Sequence, residues 1–177
     1  MAATQVPSQP QYSISPARTP KDVDAVRSLI YTYSKTQVLK QIPVLISEAA
    51  SLPGRYSLPH GEMLLARATT LDRGPVGWVG LRPFPELPDP QAPVRDTNIC
   101  QFKRLFVLEE YRRKGIGKAL VEEVIKTARE KGYKEIRISV EVHLEKEIEM
   151  YKRRGFVVRE KYFEGAEPEL VFLALQL

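Results

Sequence analysis

The sequence predicts a mixed α/β sandwich in which helices flank one central sheet. Helical periodicity follows Gly115, where apolar residues recur every four positions from Ile116 to Ala128. Strict alternation of apolar and polar residues marks residues 134–143 as a strand. At 177 residues the chain can bury one full core, which favours a single domain at 18–177 after a flexible arm at 1–17.

Composition narrows the class of protein. The chain is 43% hydrophobic and 28% charged, as is usual for globular proteins, and no apolar run approaches the ~18 residues that a membrane span needs. Because Cys100 is the only cysteine, we expect no internal disulfide and a reducing, cytoplasmic location. Two histidines with one cysteine predict no metal site. The net charge of +5 is concentrated near the glycine turn, which argues against nucleic-acid binding.

The N-terminal third predicts two helices. The polar arm contains several prolines and no periodicity, although a short strand is possible at 11–15. Thr19 is suited to cap a helix that starts at Pro20. A second helix is predicted from about 38 to 50, with Pro43 expected to kink or divide it.

The middle of the chain predicts three strands and a long loop. Residues 62–69 and 76–81 form a hairpin pattern, and the proline-rich segment 83–97 is a loop that either borders the substrate entrance or has no role. Residues 98–108 form the central strand. Strict alternation assigns its side chains to two opposite faces: Gln101, Lys103 and Leu105 against Phe102, Arg104 and Phe106. The charges at Lys103 and Arg104 therefore indicate a strand that splays open or a nearby cleft.

The last third predicts a strand at 134–143, a short helix at 145–154 and two antiparallel strands at 156–162 and 169–175.

A basic, glycine-containing turn separates the central strand from the long helix. The first turn of a helix offers unpaired N–H groups and partial positive charge, so Gly115 and Gly117 would let an anion approach closely. Ala119 breaks the Walker pattern and Leu120 breaks the dinucleotide fingerprint. The residues that would surround a phosphate or pyrophosphate are Arg112, Arg113, Lys114, Gly115, Ile116, Gly117 and Lys118.

Two motifs carry a family resemblance. Arg112-x-x-Gly115-x-Gly117 after an apolar strand resembles the acetyl-CoA signature of the GNAT N-acetyltransferases. Tyr151-x-x-x-Gly155-Phe156 resembles the late motif of the same family, in the same order and at a similar spacing. The resemblance covers about Thr19 to the C-terminus. It implies a mostly antiparallel central sheet flanked by helices, acetyl-CoA as co-substrate and acetyl transfer to an amine.

The resemblance also implies residue roles. The backbone of Leu105, Phe106 and Val107 would pair with the pantetheine arm, and an N–H near Val107 would bind the oxyanion. Tyr151 would protonate the leaving thiolate.

The general base departs from the family pattern. Gln101 occupies the position where many GNAT enzymes carry Glu, and an amide cannot accept a proton at neutral pH. Glu141, His143 and Glu62 are the candidate replacements. A water chain, or an amine of low pKa, would serve instead.

A second departure concerns the late motif and the acceptor. Leu144 and Glu147 stand where the family commonly has Asn and Ala, so the resemblance does not extend to the cofactor contact that the Asn often makes. Arg55, Tyr56 and Lys103 are candidate acceptor contacts, which would suit an amine bearing a carboxylate or phosphonate unless they are scattered surface residues.

Three functions remain open at this level. The chain is expected to acetylate a small primary amine, as a monomer or homodimer. The alternatives are a protein or peptide N-acetyltransferase and a non-catalytic acyl-CoA-binding protein.

Overall fold

The computed structural model describes residues 11–36, 41–69, 74–84, 98–162 and 169–177. In chain order its elements are β1 (Tyr12–Pro16), α1 (Pro20–Ser34), α2 (Ile42–Ala50), β2 (Glu62–Ala68), β3 (Pro75–Pro83), β4 (Ile99–Val107), α3 (Ile116–Glu130), β5 (Glu135–Glu141), α4 (Glu145–Lys152), β6 (Val157–Arg159) and β7 (Leu170–Gln176). Short 3₁₀ turns occupy Gly54–Tyr56 and Glu109–Tyr111.

The strands form one sheet in the order β1-β2-β3-β4-β5-β7-β6. Every neighbouring pair is antiparallel except β4 and β5, which are parallel. The predicted mixed α/β sandwich with a mostly antiparallel sheet is confirmed. Parts of the predicted second helix and the predicted hairpin turn, most of the proline-rich loop and the turn before β7 lie outside the described residues.

Helices cover both faces of the sheet. On one face α1 and α2 pack against the sheet through Leu29, Ile30 and Leu45, over Trp78 and Phe106. On the other face α3 buries the predicted apolar stripe: Ile116, Leu120, Val121, Val124, Ile125 and Ala128. We refer to these as the α1/α2 face and the α3/α4 face.

The N-terminal segment is partly ordered. β1 pairs with β2 along Tyr12–Pro16, so the flexible arm predicted for 1–17 is wrong for this stretch, and the strand allowed at 11–15 is present. α1 begins as predicted. The Thr19 hydroxyl accepts from the N–H of Asp22, and the Asp22 carboxylate accepts from the N–H of Thr19, which completes a capping box.

Pro43 lies at the start of α2. The described part of this helix starts at Ile42, so Pro43 occupies the first turn, where its missing N–H would have had no helical partner. Residues 37–40 lie outside the described residues, so a kink or division of the predicted longer helix at Pro43 stays a prediction.

The central strand contains a bulge that alternation alone did not predict. Arg104 has a φ of 62°, and the register with β3 shifts between Trp78 and Gly80. Phe102 consequently packs on the α3/α4 face, whereas Phe106 packs on the α1/α2 face. The prediction that these two rings share a face is wrong because the bulge inverts the alternation beyond Arg104.

None of the described helices combines the length and the apolar character that crossing a membrane requires.

Candidate active site

The basic turn before α3 has the backbone of an anion-binding site. Gly115 is the N-cap with a φ of 85°, a conformation that residues with a Cβ adopt only at a cost, and it has no side chain to accept a hydrogen bond from the first turn. The first N–H groups of α3 are therefore left to a ligand. Arg112, Arg113, Lys114 and Lys118 are exposed around this turn, so their charge is available to a pyrophosphate.

The turn is attached to the end of β4. The Nε of Arg112 donates to the carbonyl oxygen of Val107 at 3.1 Å, and the Lys114 ammonium lies 4.8 Å from the centre of the Tyr111 ring. Arg112 thus links the turn to the strand end while its remaining nitrogens can reach outward.

β4 and β5 separate beside this turn. They pair only where Ile99–Gln101 lies against Glu135–Arg137. Beyond Gln101, the edge of β4 that faces β5 has no strand partner among the described residues. Leu105, Phe106 and Val107 lie along this opening, where an extended ligand could add to the strand edge through main-chain hydrogen bonds.

Tyr151 lies on the α3/α4 face of the opening. Its ring packs against Phe102 and Phe156, with centroid distances of 5.8 and 5.6 Å. Burial raises the pKa of the Tyr151 phenol well above its usual value, and the charge of Glu147 adds to this while Arg154 opposes it. Tyr151 therefore remains protonated at neutral pH, which is the state a proton donor needs.

Glu141 and His143 lie together at the other face, at the end of β5. The His143 Nε2 is 3.4 Å from one carboxylate oxygen of Glu141, and the Gln41 Nε2 is 3.4 Å from the other. The Glu141 side chain is 27% exposed, so it can meet a ligand. Burial, together with the charge of Glu141, raises the pKa of the Tyr33 phenol, whose ring lies 5.2 Å from that of Phe106.

Gln101 and Glu62, which sequence reasoning also considered for the base, have other partners. Gln101 is 2% exposed, and its Oε1 accepts from the Nε and Nη2 of Arg82 at 3.2 and 3.0 Å. Glu62 is ion-paired with Arg18 and approaches Lys131, just beyond the C-terminal end of α3 and away from the basic turn. The structure does not bring Glu62 to the opening.

The predicted acceptor contacts are not equally placed. Tyr56 is 3% exposed and its hydroxyl donates to Glu48 Oε1 at 2.6 Å, so Tyr56 supports the site from beneath, and its assignment as a substrate contact is corrected. Arg55 is half-buried in the 3₁₀ turn, and Lys103 is half-buried beside the bulge.

Sequence reasoning missed Glu48. This residue pairs with Arg104 at 2.8 Å although 56 positions separate the two in the chain. The unexpected charge of Arg104 in a central strand was the available signal, whereas Glu48 resembles any polar residue of a surface helix.

Comparisons with known proteins agree with this geometry. The model of the acetyltransferase (GNAT) family matches residues 33–156. The chain is 28% identical over 169 residues to an uncharacterized N-acetyltransferase of Schizosaccharomyces pombe, which covers 93% of this chain and 94% of that protein.

Two solved structures share the fold and contain the co-substrate or its product. A GNAT family acetyltransferase of Elizabethkingia anophelis with acetyl-CoA bound is 19% identical, with a TM-score of 0.60 over 94% of this chain and 99% of that one. The PaiA N-acetyltransferase of Thermoplasma acidophilum in complex with coenzyme A is 19% identical, with a TM-score of 0.63 over the same shares.

A parallel strand pair that opens beside a basic helix N-terminus is the arrangement of a CoA-dependent acyltransferase. Since the family model covers most of its length, the chain belongs to the GNAT acetyltransferase family. It is an N-acetyltransferase, and acetyl-CoA is its co-substrate, as the sequence motifs implied.

Proposed function

We propose that the protein transfers the acetyl group directly from acetyl-CoA to the primary amine of a small molecule. The observation that carries this proposal is the placement of Tyr151 and Glu141 on opposite faces of the opening between β4 and β5. A thioester bound in that opening would have a proton donor on one side and a proton acceptor on the other.

The reaction balances with these two groups. The amine nitrogen attacks the thioester carbonyl carbon, a C–N bond forms and the C–S bond breaks. Glu141, or His143 beside it, takes the proton that the amine loses, and the Tyr151 hydroxyl gives a proton to the leaving thiolate. Backbone N–H groups near Val107 bind the oxyanion of the tetrahedral intermediate. Exchange with water then restores both groups.

Glu141 is supported as base by its surroundings. Its side chain is partly exposed, and Gln41 and His143 contact its carboxylate at 3.4 Å, which is too long for a strong hydrogen bond in either case. Gln101 is fixed by Arg82 and has no proton-accepting group at neutral pH. We therefore assign the base to the end of β5 instead of to β4, where many GNAT enzymes carry it.

The acceptor side is proposed to admit a small molecule. Tyr33 of α1 lies against Phe106, and Gln41, which precedes α2, lies 3.4 Å from Glu141, so side chains border this face of the opening. Arg55 and Lys103 remain the proposed contacts for a carboxylate or phosphonate, on the ground of their charge. We keep the cytoplasm as the proposed location because the chain has a single cysteine.

The test is the release of the CoA thiol from acetyl-CoA with a panel of acceptors: amino acids, polyamines, aminophosphonates, aminoglycosides and basic peptides. We expect release with one class of small amine and recovery of the acetylated amine by mass spectrometry. Release with peptides alone would contradict the small-molecule proposal, and silence with every amine would contradict amine acetylation by this site.

A further inference from the structure

We propose that Glu48 and Arg104 are positioning residues for acetyl transfer, because their ion pair locks the bulge of β4 in the conformation that presents the strand end to the thioester. This role rests on the proposed function. Neither residue touches the reacting atoms in the proposed reaction. Both act through the backbone of Leu105, Phe106 and Val107.

The bulge determines how the strand end is presented. Trp78 pairs with Phe106 and Gly80 pairs with Lys103, so Arg104 and Leu105 together oppose Val79. Arg104 supplies the extra residue in a left-handed conformation, with a φ of 62°. The peptide groups that follow are therefore rotated relative to a regular strand, at the point where β4 parts from β5.

A residue with a Cβ adopts this conformation only at an energetic cost, which favourable contacts of its side chain can offset. The Arg104 guanidinium binds Glu48 through three contacts: Nε to the two carboxylate oxygens at 3.2 and 3.1 Å, and Nη2 to Oε2 at 2.8 Å. The two side chains are only 18% and 15% exposed. A charge-assisted, bidentate pair at this burial is strong enough to hold the residue that forms the bulge.

Tyr56 connects the pair to the neighbouring strand. Its hydroxyl donates to Glu48 at 2.6 Å, and its ring stands edge-on to Trp78 at a centroid distance of 5.7 Å. The ring also lies against Gly80, where an added Cβ would come within 2.3 Å of Tyr56 Cε1. Arg104 on β4 and Tyr56, which packs against β3, both donate hydrogen bonds to Glu48. Glu48 therefore stabilises the bulge through contacts with both strands.

The electrostatics agree with a fixed internal pair rather than a site for an acceptor anion. Burial by itself would raise the pKa of Glu48, but the hydrogen bonds and charge of Arg104, with the hydrogen bond from Tyr56, lower it. Glu48 is therefore ionised at neutral pH and offsets the charge of Arg104. An acceptor carboxylate would have to displace it.

The first test compares Glu48→Gln with Asp22→Asn. Asp22 pairs with Arg67 at 2.5 Å with side-chain exposures of 17% and 27%. This pair lies outside the opening and serves as the control, and Asp22 in addition caps α1. We expect Glu48→Gln to lower kcat by about tenfold or more while the Kd for CoA changes less than about twofold. Asp22→Asn should lower the unfolding midpoint and leave kcat within about twofold. Equal effects of the two variants on kcat would overturn the proposal.

A second pair of variants separates the bulge from the loss of a side chain. Arg104→Gly and Arg104→Ala both remove the guanidinium, but glycine adopts a φ near 62° freely and alanine does not. We therefore expect Arg104→Gly to retain about tenfold more kcat than Arg104→Ala. Equal kcat in the two variants would show that Arg104 does not act through the backbone.

The Kd values for acetyl-CoA and CoA, measured by calorimetry, test the positioning role without turnover. We expect Arg104→Ala to lose more affinity for acetyl-CoA relative to CoA than Arg104→Gly. The same ratio in both variants would overturn the role of the bulge even if no amine in the panel were acetylated. A silent panel with different ratios would contradict amine acetylation by the proposed site but not the role of the bulge.

Discussion

Arg112 and Val107 join the basic turn before α3 to the end of β4. The Nε of Arg112 donates to the Val107 carbonyl oxygen at 3.1 Å, so the basic turn is held against the end of β4. In the proposed acetyl-CoA site, the pyrophosphate would lie on the first turn of α3 and the thioester in the opening between β4 and β5. The two ends of the site should respond differently to substitution.

The basic turn is tested by Gly115→Ala. Gly115 has a φ of 85°, so an alanine there either strains the turn, at about 1–2 kcal/mol, or shifts it. We expect the Kd for CoA to rise about tenfold, since the N–H groups of the first helical turn lose their alignment. The measurement is calorimetric titration of the purified variant.

Gly132→Ala is the matched control for that change. Gly132 follows the other end of α3, has the same φ of 85°, and an added Cβ would meet nothing within 4 Å. Both variants should lose a similar amount of stability, but only Gly115→Ala should bind CoA more weakly. A parallel loss of affinity in Gly132→Ala would assign the effect to the stability of α3.

Tyr151→Phe tests the proton donor. Removing the hydroxyl should lower kcat by about 10²-fold or more, while the Kd for acetyl-CoA stays near that of the wild type. Tyr133→Phe is the control, because the Tyr133 phenol also has a pKa raised by burial but donates to the carbonyl of His60 at 2.9 Å. Unchanged kcat in Tyr151→Phe would remove this residue from the mechanism.

Lowering the pH should remove the contribution of Glu48 to the free energy of unfolding. The folded-state pKa of Glu48 is lowered, so its contribution is complete above the unfolded value of about 4.3 and is lost as the pH falls through the folded value. We expect urea unfolding near pH 7 to show Glu48→Gln less stable than the wild type by about 3 kcal/mol. That gap should narrow below about pH 4, and a constant gap down to about pH 3 would contradict the lowered pKa.

Much of the fold follows from local sequence patterns. The periodicity of α3, the alternation of β5 and the glycine turn are each specified by neighbouring residues, and the structure confirms these elements. The faces of β4 were misassigned because a left-handed residue at Arg104 inverts the alternation, and nothing in the local pattern requires it. Glu48 could not be found from the sequence because its importance comes from a long-range pair.

The sequence also could not predict which residues the titratable groups contact in the folded protein. Glu62, Glu141 and His143 were all reasonable bases by residue type. Only the three-dimensional arrangement shows that Glu62 is held by Arg18, whereas Glu141 and His143 lie together near the opening. The substrate assignment of Tyr56 failed for the same reason, since its hydroxyl is buried against Glu48.

The most direct measurement is the pH dependence of kcat/KM for the acetylated amine in Glu141→Gln, with Glu145→Gln as control. Glu145 is exposed in the first turn of α4. Glu141→Gln should lower kcat/KM by about 10²–10⁴-fold near pH 7, and the deficit should shrink as the pH rises because more of the amine is already neutral. Glu145→Gln should match the wild type. A wild-type kcat/KM in Glu141→Gln across this range would contradict the assignment of Glu141 as the base.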